Sequence, residues 1–522
     1  METCQPRLSA SVLGELGSIC GKEHVSVREP DRILYARDMW PRSLLRQQRG
    51  FVEYPPDCVV WPANAEEVAG VVRLAASAFI PIIAFGGGSG VCGGTLPVRG
   101  GIVLDLKRLC RILQFEPEDC LLEVESGAIG ENLERELERR GWTLGHFPSS
   151  IYCSTVGGWI AGRGAGQCSS RYGKIEDMVR ALAFVDQEGE LQRTPLQLAA
   201  YQPWSLDPWL VGSEGTLGVI VAASLFMRPL SARRWYRGFV FSDVPTGVEA
   251  MRQILRCGLR PSVLRLYDEF DTLMAAKSGP VDEPVEEMVQ ERLGALSSPL
   301  FKSFRDRSLR TLVMAAGVMN RLVRLLPKEC LLVVVQEGEP EEIACAASLL
   351  PAICQKKGAR DLGEGPGRHW WTQRYAVSYK QSWLFQAGLF VDTMEVATTW
   401  DRLLPLYQAV RRAVSPLAFV MAHFSHAYRD GCSIYFSFAA ASRKAEAAPA
   451  LYDRIWEAAQ SACLAQGAAV SHHHGVGFSK QRFLVQQLGE AGVLAAAVKQ
   501  VMDPHGVFNP AKLGQREMRG LP

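Results

Sequence analysis

No uninterrupted apolar run in the 522-residue chain approaches the roughly 18 residues that a membrane-spanning helix needs. Its start, METCQPRLSASVLGELGSIC, has no basic region followed by a long apolar stretch, so no secretory leader is expected. The 14 cysteines form no C-x-x-C pair and follow no regular spacing. That pattern offers no disulfide framework. These absences lead to the expectation of a cytoplasmic protein with reduced thiols. A net charge of +2 gives no general attraction to nucleic acid, and none is expected as a partner. There is no internal repeat and no low-complexity segment. What remains is ordinary globular composition, 48% hydrophobic and 21% charged, in a chain too long for a single core.

Residues 1–54 read as an N-terminal helical lead-in. An α/β pattern follows. Cys58-Val59-Val60-Trp61-Pro62 is a short apolar strand stopped by proline. Asn64 starts a helix with Glu67 in the capping-box position, and Val68, Val71, Val72, Ala75 and Ala76 form its inward stripe. Ile82 to Phe85, Ile102 to Leu106 and Leu121 to Val124 read as further strands, and Ile129, Leu133 and Leu137 mark a second amphipathic helix. Residues 55–230 are therefore expected to form one α+β domain. From 231 to 430, strand-like runs such as Trp235 to Phe241 and Leu331 to Val335 alternate with helical stretches, as in a second domain. Residues 431–522 are read as a C-terminal segment that returns to the first domain. It carries SHHHGVG, Ser471 to Gly477, and DPHGVFNPAK, Asp503 to Lys512.

The strand at Ile82 to Phe85 runs into Gly86-Gly87-Gly88-Ser89-Gly90-Val91-Cys92-Gly93-Gly94-Thr95. Gly88, Gly90 and Gly93 match the spacing G-x-G-x-x-G. A dinucleotide fingerprint of that kind must open a helix directly. Here the chain continues through Leu96-Pro97-Val98-Arg99-Gly100-Gly101, which cannot be a helix, so the Rossmann reading fails. The physics of the loop survives, because backbone N–H groups without side chains can approach a diphosphate. Taken alone, a tight strand-to-loop turn with no ligand explains it equally well. Two later segments change the balance. Pro148 to Trp159, PSSIYCSTVGGW, and Gly212 to Ile220, GSEGTLGVI, share the glycine and hydroxyl texture. Three such loops in one domain suit a large polar ligand held mainly by backbone.

The succession IIAFGGGSG, PSSIYCSTVGGW, RYGKIEDMV and GSEGTLGVI resembles the FAD domain of the vanillyl-alcohol oxidase superfamily. The later IYFSF and SHHHGVG narrow the resemblance to the alkyl-dihydroxyacetone-phosphate synthase family, flavoenzymes of ether-lipid synthesis, from Val59 to Lys512. The resemblance implies an α+β, two-domain flavoprotein with an FAD-binding domain and a cap domain for the substrate. Its diphosphate loop would be Ala84, Phe85, Gly86, Gly87, Gly88, Ser89 and Gly90. A second FAD loop would be Ser149, Ser150, Ile151, Tyr152, Cys153, Ser154 and Thr155, and a third Gly162, Arg163, Gly164 and Ala165. Glu214, Gly215, Thr216, Leu217, Gly218, Val219 and Ile220 would be the fourth. The resemblance places Tyr435 on the family's catalytic tyrosine, His472, His473 and His474 on its active-site histidines, and Arg265 on a functionally important arginine. There are departures. Gly162 and Ala165 replace hydroxyl residues, and Ser149 replaces a carboxylate. A gap-free alignment puts Gln381 where the family has an arginine for the substrate phosphate. Lys380 beside it supplies a cation without a bidentate fork.

Synthases of this family exchange the acyl group of an acylated ketone phosphate for a fatty alcohol, with no net redox change. That chemistry needs a base near C1 of the substrate, and Tyr435 is the candidate. An unperturbed phenol, with pKa about 10, is a poor base at neutral pH. The histidine cluster would lower it or stabilise developing charge. Without the resemblance, Tyr435 in S-I-Y-F-S-F reads as a packed strand aromatic with period two. If His472 to His474 form a strand, they alternate between faces and at most two reach one site.

Metal-dependent, FAD-linked 2-hydroxyacid dehydrogenases resemble this chain in fold. They carry G-H-x-G-D-G-N-x-H and a later E-H-G, which supply two His and a Glu to a divalent metal. Here His426 and Asp430-Gly431 remain, Tyr435 stands near the second His, and His473 stands in place of the Glu. No catalytic metal is therefore expected. No histidine lies near the glycine loop, and Cys92 reads as a small buried residue, so FAD is expected to be non-covalent. Residues 300–328 interleave Lys302, Arg305, Arg307, Arg310, Arg321, Arg324 and Lys328 with apolar residues. Such a stretch suits a peripheral membrane surface or the solvated face of a cap-domain helix pair. The expected partners are a lipid-like small molecule and a second copy of the chain in a homodimer. The alternative activity is an FAD-linked oxidase or dehydrogenase of an alcohol or 2-hydroxy acid, favoured by Gln381 and by the dehydrogenase-like DPHGVFNPAK. A flavoprotein that serves only as a binding scaffold is disfavoured by the intact candidate site.

Overall fold

The computed structural model describes residues 5–196, 205–276, 310–311, 313–317, 320, 328–376, 385 and 389–514. The chain divides into two compact units, residues 1–230 with 470–522, and residues 231–469. Residues 431–469, read from sequence as part of a C-terminal segment, run with the second unit. The reason is that the strand Gly431–Ala440 pairs along both its edges inside that unit's sheet.

The first unit contains β1 (Val25–Ser26), β2 (Cys58–Val60), β3 (Ile82–Phe85), β4 (Ile102–Asp105), β5 (Ile112–Glu116), β6 (Leu121–Glu125), β7 (Trp142–Thr143), β8 (Val179–Val185), β9 (Leu191–Arg193), β10 (Val219–Phe226) and β11 (Arg228–Pro229). A four-stranded sheet runs β1-β2-β4-β3, with β2, β4 and β3 parallel. Parallel neighbours need a crossover, and the helix Ala65–Ser77 supplies it. Asn64 caps that helix by accepting from the Glu67 N–H at 2.9 Å, and Glu67 reaches back to the Ala63 N–H at 2.8 Å. Val68, Val71, Val72 and Ala75 are wholly buried, while Ala76 lies at the margin of the stripe. The second sheet is antiparallel, in the order β5-β6-β10-β8-β9. β10 is apolar at nearly every position and buried over most of its length, as a strand covered on both faces must be. β7 and β11 form a separate two-stranded ribbon.

The C-terminal residues 470–514 pack into this first unit. The Ile82 N–H donates to Val507 O at 2.9 Å and the Asn509 N–H to Ile82 O at 2.8 Å, which lays Phe508 parallel to the edge of β3. Lys499, almost fully buried, pairs with Asp503 and donates to Thr216 O at 2.5 Å and Phe508 O at 3.0 Å. Asp503, Val507, Phe508, Asn509 and Lys512 of the run DPHGVFNPAK are buried, so the run clamps the C-terminal residues onto β3.

The second unit is built on one antiparallel sheet. Its strands are β12 (Arg233–Phe241), β13 (Val263–Tyr267), β14 (Cys330–Gly338), β15 (Arg360–Asp361), β16 (Phe390–Thr399), β17 (Phe419–Ala427) and β18 (Gly431–Ala440), in the order β15-β12-β14-β13-β17-β18-β16. Period two separates its faces. Phe424, Phe436 and Phe438 face the helices Leu403–Val414 and Ala448–Ala465 through Tyr407, Tyr452 and Trp456. The opposite face carries Glu395, Tyr435, His423 and Tyr267, consecutive register partners across β16, β18, β17 and β13. Most of residues 300–328 lie outside the described residues. Arg310, which is described, donates to the backbone carbonyls of Ser442 at 2.6 Å and Arg443 at 3.1 Å. Among the described residues no helix is long and apolar enough to cross a membrane.

Glu134, on the helix Gly130–Arg139, is buried and accepts from Thr143 Oγ1 at 2.7 Å and the Leu144 N–H at 3.1 Å. Burial pushes its carboxyl from 4.5 up to about 8. The folded chain therefore binds a proton between those values that the unfolded chain releases, so stability falls as pH rises through the window. The slope is about 1.4 kcal/mol per pH unit at its steepest. Glu134→Gln is expected to flatten that part of the profile, measured as melting temperature against pH.

Candidate active site

The first unit gathers all four glycine and hydroxyl segments. A Cβ on Gly86 would lie 2.2 Å from Thr155 Oγ1, and one on Gly87 would lie 1.8 Å from the Cys153 carbonyl oxygen. Gly88 takes φ +60° with its α-carbon against the Phe85 ring. Residues 84–90 and 149–155 thus touch backbone to backbone, an approach open only to glycine. Ala84 in turn faces Gly215, across 3.6 Å from where a Cβ on that glycine would stand. The start of the fourth segment is tied to the helix Val156–Ala161 that leads into the third, by hydrogen bonds from the Gly212 N–H to Ile160 O and from the Glu214 N–H to Ala161 O, both 2.9 Å. Arg163 and Glu214 both sit at positive φ, +53° and +51°, and Gly164 is tied to Trp159 O at 2.8 Å.

Within the second segment, Ser150 O accepts from the Cys153 and Ser154 N–H groups at 2.9 and 2.8 Å, Ile151 is buried, and Tyr152 is half exposed. Ser149, which replaces a carboxylate of the family, accepts from Gln167 Nε2 at 2.9 Å. Ala165, Thr216, Leu217, Val219 and Ile220 are buried beneath the loops. Gly218, at φ +151°, immediately precedes β10.

His146, absent from the sequence reading, lies against Trp159 with ring centroids 4.6 Å apart. It is fully buried, and among the described residues neither ring nitrogen has a partner. Burial lowers its pKa to about 3, so the ring is neutral. Its Nε2 stands 3.7 Å from where a Cβ on Gly164 would be. Orphaned polar atoms of this kind call for a ligand or water. A backbone cradle beside a neutral imidazole in want of a partner fits a large polar cofactor such as FAD.

The histidine segment belongs to the same unit, where it forms a bend and not a strand, so the alternation expected for a strand does not apply. The His472 and His473 rings meet edge to face at 5.1 Å, with Nδ1 atoms 2.9 Å apart, and the His473 and His474 rings lie 4.6 Å apart. Positive φ at Gly475 and Gly477, +77° and +53°, turns the chain after them. Glu214 fixes that turn, its carboxylate accepting from the Val476 N–H at 2.5 Å and the Gly477 N–H at 2.8 Å. Lys174 donates to His472 O at 2.9 Å, and the wholly buried Lys480 donates to Ser471 Oγ at 3.0 Å. Asn509 joins two loops, its amide donating to Gly94 O at 2.9 Å and Glu214 O at 2.7 Å. Cys92 is buried, and its carbonyl accepts from the Phe478 and Ser479 N–H groups at 2.9 and 3.0 Å.

Tyr435 and Arg265 both lie in the second unit. The Tyr435 hydroxyl is 2.8 Å from His426 Nε2. His423 stacks on the Tyr435 ring, centroids 4.7 Å apart at 22°. The Arg265 guanidinium stands 5.9 Å from the Tyr435 ring centroid and hydrogen-bonds His423 Nε2, while His423 Nδ1 is 2.9 Å from Asp271 Oδ2. An arginine is always a donor, so Nε2 accepts and the ring proton of His423 sits on Nδ1, toward Asp271. Burial, and secondarily Arg265, hold His423 well below the usual imidazole range. Burial pushes Asp271 up to about 7 against the pull of Arg265. Burial also raises the Tyr435 phenol, again opposed by Arg265. His423, Asp271 and the contact from His426 were not legible as a group, because strand register and one helix bring them together. Lys380 and Gln381 lie outside the described residues.

Gly87→Ala would force the 84–90 and 149–155 loops apart, since the atom it meets is backbone. Strain of about 1–3 kcal/mol is expected. The variant should purify with little or no flavin absorbance and a lowered melting temperature.

Comparison with known proteins places these clusters in context. Residues 56–195 match the FAD binding domain, and residues 231–513 match the C-terminal domain of FAD linked oxidases. The alkyldihydroxyacetonephosphate synthase of Trypanosoma brucei brucei is 28% identical, over 97% of this chain and 81% of its own length. That of Dictyostelium discoideum is 28% identical, over 90% of this chain and 75% of its own. A solved alkyldihydroxyacetonephosphate synthase structure superposes with a TM-score of 0.78 at 26% identity, covering 98% of this chain and 88% of that one. Three of the four cradle loops fall in the first matched region, and Arg265, Tyr435 and His472 to His474 fall in the second. With its two regions accounting for both clusters, the chain belongs to the FAD linked oxidase family, and its cofactor is FAD.

Proposed function

We propose that this protein is an alkylglycerone-phosphate synthase-like transferase, which exchanges the acyl group of acyl-dihydroxyacetone phosphate for a fatty alcohol. The observation that carries the reading is Tyr435, hydrogen-bonded to His426 at 2.8 Å with the Arg265 charge 5.9 Å from its ring. FAD, when bound, supplies a nucleophilic ring nitrogen for the substrate carbon that changes partners. The 84–90, 149–155, 162–165 and 214–220 loops hold it non-covalently, the nearby Cys92 being buried away from reaction. Tyr435 takes the proton from C1 of the substrate. Arg265 favours the charged form of that phenol. His472, His473 and His474 offer N–H donors to the anionic groups of substrate and leaving carboxylate. Lys380 and Gln381 contact the substrate headgroup, and no catalytic metal takes part. The same proposal includes a homodimer and contact of 300–328 with an anionic membrane surface.

An FAD-linked oxidase or dehydrogenase is the second reading, favoured by Gln381 in place of a phosphate-holding arginine. Anaerobic mixing with palmitoyl-dihydroxyacetone phosphate and labelled hexadecanol separates the two. The transferase is expected to release free fatty acid and form labelled ether lipid without net flavin bleaching. Tyr435→Phe should lower that turnover by about 100-fold or more. Bleaching by an alcohol or a 2-hydroxy acid, without ether product, would establish the oxidoreductase. Elemental analysis with stoichiometric zinc or manganese would overturn the metal-free site, and flavin retained by acid-precipitated protein would overturn non-covalent binding.

A further inference from the structure

We infer that His426 is the proton acceptor of Tyr435, so that the two side chains act as one base on the β17–β18 ribbon. The inference rests on the reading of Tyr435 as the residue that deprotonates the substrate.

The backbone makes the first argument. His426 stands at φ +50° in the middle of a strand, and the pairing slips there, Ser425 facing Ser433 and Ala427 facing Cys432. This is a bulge with one extra residue. In a regular strand, His426 would point to the apolar face with Phe424. The bulge turns it to the face of Tyr435 instead, at a conformational cost of about 1 kcal/mol or more. Strain of that sort persists where the surroundings demand it, and here it yields the contact between His426 Nε2 and the Tyr435 hydroxyl.

Elimination makes the second argument. Among the described residues, the groups that face Tyr435 include Arg265 and Tyr267 from β13, His423 from β17, Glu395 from β16, Tyr428 beyond the bulge and His426 itself. Arg265 is a donor alone. Glu395 and Tyr428 disfavour the phenolate. His423 lies flat on the ring, its Nε2 engaged by Arg265 and its Nδ1 by Asp271. Only His426 meets the hydroxyl with a ring nitrogen among these groups.

Two hydroxyls make the third argument. Ser425 and Ser433 are register partners on the same face, both buried, and among the described residues neither Oγ has a hydrogen-bond partner. A polar floor left unsatisfied beside a buried tyrosine–histidine pair is built to meet a substrate.

The chemistry balances within the pair. The O–H bond of Tyr435 breaks, its proton forms an N–H bond at Nε2 of neutral His426, and the electron pair stays on the phenolate oxygen. That oxygen then takes the proton from the carbon beside the substrate ketone, and the C–H electron pair moves onto the carbonyl oxygen as an enolate. The pair holds one extra proton until the carbon is reprotonated. The Arg265 charge, steadied through His423 by Asp271, favours the phenolate while it exists.

The test uses full-length, flavin-loaded protein and palmitoyl-dihydroxyacetone phosphate deuterated at C1, with loss of deuterium to water as the readout. His426→Gly is the variant of choice, because glycine accepts φ +50° without strain, and His426→Gln checks it with a side chain that keeps hydrogen bonding but takes up no proton. Both are expected to exchange about 100-fold more slowly than the parent with unchanged flavin content. Added imidazole should restore exchange in His426→Gly in proportion to its neutral form, an effect that a structural role would not produce. Exchange within about threefold of the parent in both variants, with Tyr435→Phe inactive, would overturn the pair and leave the base assignment standing. Parental exchange in Tyr435→Phe, or none in the parent, would overturn both. A stoichiometric divalent metal that disappears in His426→Gly would also overturn the pair.

Discussion

Glu214 sits at φ +51° at the start of the 214–220 loop and directs both carboxylate oxygens onto the backbone N–H groups of Val476 and Gly477. Much of the first unit depends on that one interaction. A carboxylate that accepts from two adjacent amides fixes a turn as firmly as a strand pair would, and charge assistance strengthens each bond. The turn it fixes is the one that follows His474. The carbonyl of the same residue accepts from Asn509, whose amide also holds Gly94 at the end of the glycine loop. One glutamate therefore sets the glycine loop, the histidine bend and the C-terminal clamp in a common frame. Burial raises its pKa, and the two amides work against that rise. The charged form is the one the frame requires.

The second unit solves a different problem. Its antiparallel sheet must offer one apolar face to helices and still assemble acid–base groups on the other. Register does most of this. Glu395, Tyr435, His423 and Tyr267 lie in one row because four strands pair without slippage along it. Arg265, two residues before Tyr267, joins the row from the same face of β13. The bulge at His426 then adds the one group that regular pairing would have sent to the wrong side.

Much of the fold was legible because its signals are local. Glycines at 86, 87 and 88 betray close backbone approach, Asn64 and Glu67 betray a helix start, and the alternation in Ile434 to Phe438 betrays a strand with two unlike faces. The parts that were not legible depend on distant partners. A lone histidine at 146 or 423 reads as an ordinary core residue until the loops and strands around it are placed. His423 meets Asp271 across 152 positions, and Lys174 meets His472 across 298. The burial of DPHGVFNPAK was not legible either, because Asp503 is neutralised by Lys499 from the preceding helix, out of water. The histidine triplet misled through geometry: a strand was the natural assumption for three consecutive side chains near a site, and two later glycines at positive φ make it a bend.

The phenol beside His426 decides what that pair of side chains can hold. A metal needs lone pairs that converge on an empty point. A phenol brings a proton to that point instead, and His426 Nε2 is already engaged by it at 2.8 Å. The two groups are placed to share a proton rather than a cation. What the fold supplies is the placement: regular pairing presents Tyr435 on one face of β18, and the bulge in β17 aims His426 at its hydroxyl.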